Sequence, residues 1–225
     1  MSEVTWELQA DRATLLCGPL RAVINLRRPS RGLHDLSVDQ RQFAGCEFLG
    51  VAIDAVRPHA VVDCYTRAGD LIVRYPQTDG RPFAVGVDWR TGLIHIGSIV
   101  CPYVDLVVSV ETSLLDTRPE LEARTSLATP ENVTWSSSGH TCLAQFPGLG
   151  LSYIEMIHPD DVLAPLLAET PGEVRLSTPL FGRPLEKGVI LRSRLRGMFV
   201  PLTHDEVIKA DAFAQFAATP PPLTA

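Results

Sequence analysis

Asp88 and His95 are the two residues of this chain best placed, on type and spacing, to move a proton. If the segments on either side of Thr91-Gly92 fold back on each other, the two side chains meet across the ladder. A carboxylate beside an imidazole raises the ring's affinity for a proton and fixes its tautomer, which suits general acid/base chemistry. A second group, Asp63, Tyr65, Arg67 and Arg74, would share one face of the preceding hairpin. Carboxylates and guanidinium groups on such a face bracket hydroxyl groups, and an aromatic ring stacks on a pyranose; the same residues also form a solvated ladder of ion pairs, worth ~0–1 kcal/mol each. The third group is a strand in which Arg192, Arg194 and Arg196 alternate with Leu191, Ser193 and Leu195. Its guanidinium groups stand roughly 7 Å apart on one face. Their charge is answered either by an acidic neighbour such as the strand with Asp105 and Glu111, or by an anionic ligand held through Arg192 and Arg194.

These groups depend on two hairpins. Residues 61–67 and 70–75 flank Ala68-Gly69, and a two-residue turn there pairs Arg67 with Asp70, Tyr65 with Ile72 and Asp63 with Arg74. Opposite charges then face each other twice, while Cys64/Val73 line the other side. A three-residue loop with Gly69 left-handed would pair Thr66 with Asp70 instead, and Ala68 tolerates positive φ poorly. The second hairpin, 83–90 with 93–98, places Phe83, Val85, Val87 and Trp89 on one face and pairs Asp88 with His95.

Elsewhere, strands are predicted over 5–9, 13–17, 20–26, 48–53, 173–177 and 189–200, with a hairpin 141–146/151–157 around Pro147-Gly148-Leu149-Gly150. Residues 103–114 alternate cleanly, with Val104, Leu106, Val108 and Val110 on one side. Residues 116–138 read as a polar connection with a helical turn at 119–124. His158-Pro159-Asp160-Asp161 reads as the start of a short helix. Thr203 and Glu206 have capping-box spacing ahead of Ile208, Ala212, Phe213 and Phe216, which predicts a C-terminal helix. The expected architecture is all-β: an antiparallel β-sandwich with one or two short helices, one domain over 1–217, and a loose tail over 218–225.

With 225 residues the chain can bury a substantial core, and its net charge of −6 argues against a nucleic-acid partner. Only Lys187 and Lys209 among the 20 basic residues are lysine. The five cysteines (Cys17, Cys46, Cys64, Cys101, Cys142) are scattered and lack a C-x-x-C pair, so buried free thiols are expected. The acidic, polar N-terminus and the lack of a long apolar run predict a cytoplasmic protein with no membrane partner. Glu155 and His158 have a three-residue spacing that sends them to opposite faces of a strand. No metal and no cofactor is implied.

The segments Asp63-x-Tyr65-x-Arg67-x-x-Asp70-Leu71 and Val87-Asp88-Trp89-Arg90 are similar to those of bacterial proteins of about this length. Together with the short N-terminal strands, long alternating strands and late charged strand, the chain resembles the galactose mutarotase-like supersandwich. That resemblance implies a carbohydrate-active protein with a histidine and a carboxylate on a concave sheet face. The expectations are therefore carbohydrate or sugar-acid binding on a polar face, with epimerase-like chemistry through His95 and Asp88, or else an interaction module forming a homo-oligomer.

Overall fold

Alternating apolar and polar residues need a partner for each apolar face, and the chain supplies it by packing two antiparallel sheets face to face. The computed structural model describes residues 4–55, 58–97, 99–136, 138–161 and 163–219. The expected tail therefore lies outside the described residues from 220 onward. In chain order the strands are β1 (Val4–Gln9), β2 (Arg12–Cys17), β3 (Leu20–Asn25), β4 (Leu33–Val38), β5 (Arg41–Gln42), β6 (Glu47–Ala52), β7 (Asp63–Arg67), β8 (Asp70–Tyr75), β9 (Ala84–Ile96) and β10 (Ile99–Glu111). They continue as β11 (Asp116–Thr117), β12 (Leu121–Ala128), β13 (Asn132–Trp135), β14 (Thr141–Phe146), β15 (Leu151–Ile157), β16 (Leu166–Thr170), β17 (Glu173–Leu180), β18 (Leu185–Glu186) and β19 (Leu191–Pro201), and helix α1 (Asp205–Ala217) closes the series.

One sheet runs β1-β2-β3-β4-β6-β12-β17-β16, with β5 beside β4; the other runs β13-β14-β15-β19-β10-β9-β8-β7. Leu15, Leu33, Phe48, Val73, Trp89, Leu106 and Leu195 are among the side chains that fill the space between them. A smaller apolar cluster lies on the outer face of the eight-stranded sheet, where Leu143, Ile154, Met156, Met198 and Val200 meet Ile208, Ala212 and Phe216 of α1. The i, i+4, i+8 spacing of those three residues gives the helix one apolar stripe, as the sequence predicts.

The first hairpin has the predicted two-residue register: Arg67↔Asp70, Tyr65↔Ile72 and Asp63↔Arg74. Ala68 takes φ 48° and Gly69 φ 88°, so the turn carries a non-glycine residue in left-handed backbone. Two bonds hold it there, since the Gly69 carbonyl accepts from Trp6 Nε1 at 2.9 Å and from Thr91 Oγ1 at 3.1 Å.

The second hairpin is different. Thr91-Gly92 does not turn; β9 runs straight through it, and the reversal falls between Ile96 and Ile99. Extending both strands lets Leu93 reach the main core while Ile94 and Ile96 pack under α1, and a turn at Thr91 would forfeit both contacts. Residues 116–138 also need correction, because β12 lies inside the nine-stranded sheet between β6 and β17, and β13 edges the other. The inward side chains of β12 are Leu121, Ala123, Thr125 and Leu127, half of them small or polar, which weakens the alternation. His158-Pro159 opens only a single 3-10 turn, Pro159–Asp161. The capping box does not form: Thr203 Oγ1 bonds to His204 Nδ1, while Asp205 Oδ1 accepts the Glu206 amide at 2.8 Å. Asp205 Oδ2 accepts from Ser152 Oγ at 2.7 Å and Gln145 Nε2 at 2.8 Å, tying the helix start to the sheet. Four of the free cysteines are buried, and Cys64 is half-buried. Among the described residues no helix is long and apolar enough to cross a membrane.

Candidate functional site

The register of β7, β8, β9, β10 and β19 sets the outward side chains of five strands in rows. One row reads Asp63, Arg74, Gly86, Ser109, Arg192; the next Tyr65, Ile72, Asp88, Val107, Arg194; the third Arg67, Asp70, Arg90, Asp105, Arg196. The third row alternates in sign across all five strands. The structure thus brings Asp63, Tyr65, Arg67, Arg74, Asp88, Arg192 and Arg194 onto one sheet face. His95 is not among them. It lies seven residues from Asp88 along β9, about 23 Å at strand rise, on the opposite face, where it pairs with Val100 and is exposed. The expected Asp88–His95 acid/base pair does not exist, because a straight strand carries residues of odd separation to opposite sides.

Most charges on this face are internally satisfied. Arg74 Nη1 donates to Asp88 Oδ1 at 2.7 Å, and Arg90 Nη2 to Asp88 Oδ2 at 3.2 Å. Arg90 Nε lies 3.7 Å from Asp70. Burial pushes the Asp70 carboxyl above its ordinary value, a tendency opposed by Arg90 and reinforced by Asp88. Arg196 donates to both Asp105 oxygens, at 2.6 and 2.8 Å, so its predicted acidic neighbour is the one found. Arg194 is buried; its amide donates to Asp161 Oδ2 at 2.9 Å and its Nη1 to the Thr219 carbonyl at 2.9 Å. Desolvation weakens the hold of Arg194 on its proton, and Asp161 opposes that effect.

Arg192, like Arg67 at the sheet edge, makes no guanidinium hydrogen bond or ion pair among the described residues. It lines a hollow of about 200 Å³ with Arg74, Ser109 and Glu111. Gly86 makes this hollow possible: a Cβ there would lie 2.4 Å from Arg74 Nη1 and 2.5 Å from Ser109 Oγ. A second hollow of about 290 Å³, with Asp160, Asp161, Arg183 and Ser193, borders Arg192 on its other side. A free guanidinium beside a hydroxyl and a glycine floor can take a carboxylate or a pair of sugar hydroxyls through parallel N–H bonds.

Three polar clusters escaped the sequence reading. The outer face of the nine-stranded sheet has a cleft of about 660 Å³ with Arg31, Glu47, Arg124, Glu173 and Arg175. Its guanidinium groups are already paired, to Glu47 at 2.5 Å, Glu122 at 2.5 Å and Glu173 at 2.8 Å, which leaves little to offer a ligand. Arg81 is buried and bonds Asp54 Oδ2 at 2.5 Å, with His59 alongside. Between the sheets, Glu155 Oε2 accepts from Thr125 Oγ1 at 2.5 Å and Tyr153 Oη at 2.8 Å, while the Leu49 amide donates to Thr125 Oγ1 at 3.1 Å. Only the carboxylates and arginines themselves signalled these clusters, because their partners come from distant strands.

Two packed antiparallel sheets with a long polar outer face define an antiparallel β-sandwich. Among solved structures, the chain is similar to a galactose mutarotase-like protein from Clostridium acetobutylicum, with a TM-score of 0.54, 5% identity, and coverage of 89% of this chain and 99% of that one. It is also similar to a putative kojibiose phosphorylase from the human microbiome, with a TM-score of 0.50 and 10% identity over 93% of this chain. The chain spans 32% of that larger protein. No family model and no curated protein sequence matches. At these identities the likeness establishes the fold alone.

Proposed function

We propose that the protein binds a carbohydrate acid on the open half of the charged face, with the ligand's carboxylate at Arg192. The observation that carries this reading is the unpaired Arg192 guanidinium, set over the Gly86 floor between Ser109 and Arg74. Tyr65 is 38% exposed on the same face but four strands from Arg192, so its ring can stack only on a more distant residue of an oligosaccharide. The carbohydrate-related names of the structural neighbours support this ligand class by analogy of fold. The reading is binding without turnover. Asp88 is held by two guanidinium groups, so both of its oxygens already have partners.

The test is a thermal-shift and calorimetric series with glucuronate, galacturonate, glucose and galactose. Binding of a uronate but not of its neutral sugar, lost in Arg192→Ala, is the expected result. A ligand at 100 times its dissociation constant adds about 2.7 kcal/mol, which a melting curve detects readily. Silence toward every sugar would favour a second reading, an interaction module. For that reading the supporting observation is edge strand β16, which exposes Leu166 at 61% and Leu167 at 37%.

A further inference from the structure

Strand β7 ends the eight-stranded sheet, and its residues Asp63, Tyr65, Thr66 and Arg67 are all exposed. An edge strand presents a row of amide and carbonyl groups with no partner in its own sheet. Neighbouring residues in an antiparallel ladder alternate in direction, and Arg67 and Asp70 close the two-residue turn. The backbone groups of Cys64 and Thr66 therefore point away from β8. Natural edges are usually protected by proline, by a bulge or by charges that repel a second copy. Strand β7 has no proline, and its ladder with β8 is unbroken from Asp63 to Arg67.

Its charges are also complementary to their own reverse. Asp63 and Arg67 lie two residues either side of Tyr65, with opposite signs, and neither makes an ion pair among the described residues. We propose that β7 pairs antiparallel with β7 of a second copy of this chain, about a two-fold axis at Tyr65. Tyr65 then faces its counterpart, and each Asp63 faces the other copy's Arg67. Cys64 and Thr66 exchange backbone hydrogen bonds with Thr66 and Cys64 of the second copy. The match occurs twice, as an isologous interface requires. The two-fold axis stands perpendicular to the sheet, so both charged faces join on one side of a continuous sheet. Arg192 lies four strands from this edge, so the pairing does not depend on the ligand reading.

The test is sedimentation velocity on the full chain and three variants: Asp63→Arg, Arg67→Asp and the two together. Each single reversal sets like charges opposite each other at both symmetric contacts and is expected to weaken dimerisation at least about tenfold. The double variant restores the match and is expected to dimerise like the wild type. Both positions of substitution are on the exposed edge, and circular dichroism confirms that each variant is folded. A wild-type chain that stays monomeric up to millimolar concentration overturns the proposal. So does a dimer that both single reversals leave unchanged.

Discussion

Arg196 holds both carboxylate oxygens of Asp105, at 2.6 and 2.8 Å, where the open and helix-covered halves of the sheet face meet. Its guanidinium carbon lies 4.1 Å from the centre of the Tyr103 ring and 4.8 Å from that of Phe216 in α1. The Tyr103 ring rests on Gly92, where a Cβ would come within 2.5 Å of its hydroxyl. One ion pair thus fastens a charged row, an aromatic ring and the C-terminal helix together.

Asp105→Ala leaves Arg196 charged and largely out of water, so the fold should lose about 3 kcal/mol. Helix α1 should loosen at the same time, because Arg196, no longer held by Asp105, is released from its place over the Phe216 ring. Urea unfolding measures the first effect and limited proteolysis of the C-terminal segment the second. A loss below about 1 kcal/mol, the range of an exposed pair, would show that the contact does not fasten the helix.

Gly86→Ala separates the site from the scaffold. The added Cβ meets only the ends of two side chains, Arg74 and Ser109, and these can move aside. Stability should fall by no more than about 1 kcal/mol. Uronate affinity should fall at least about tenfold, since the floor rises and Arg74 is displaced from Asp88. Calorimetric titration of the variant decides it; unchanged affinity would remove this hollow from consideration.

Glu155 predicts a pH dependence. Burial pushes its carboxyl above the ordinary value of 4.5, and the bonds from Thr125 and Tyr153 pull it only part of the way back. The folded protein therefore holds this proton more tightly than the unfolded chain does. Its contribution to stability is complete below the ordinary carboxylate range and is lost as pH rises through the folded-state value. Glu155→Gln stays neutral throughout, so the variant should gain on the wild type as pH rises from the ordinary carboxylate range through the folded-state value. Parallel urea midpoints across that window provide the measurement, and a difference independent of pH would contradict it.

His95→Ala should change neither uronate binding nor stability by a measurable amount. The residue is exposed near the end of β9, on the face opposite Asp88. Titration of the variant against wild type is sufficient, and a tenfold loss would require His95 to act on the ligand from outside the charged face.

Local patterning was enough for much of this protein. Charge matching and alternation in 61–75 favoured the two-residue turn over the three-residue loop, and that register is the one found, even against the reluctance of Ala68 to take positive φ. The same alternation located β10, β14, β15 and β19, and the i, i+4, i+8 stripe located α1. In each case neighbours along the chain, or across a tight turn, carry the information.

The site was legible only as a set of residues. Sequence placed Asp63, Tyr65, Arg67, Arg74, Arg192 and Arg194 on polar strand faces, but their assembly into rows required β19 to lie beside β10 and β10 beside β9. Thr91-Gly92 misled because a local turn preference is small beside the burial of Leu93, Ile94 and Ile96, which a straight strand provides. Strand β12 was hidden because the small Ala123 and the polar Thr125 fill inward positions, Thr125 bonded to Glu155 of the other sheet. Sequence determined the strands, their faces and the helix, since these follow from periodicity. Tertiary structure decided which charges are paired and which, such as Arg192, are left open among the described residues, because that depends on strands brought together across long stretches of chain.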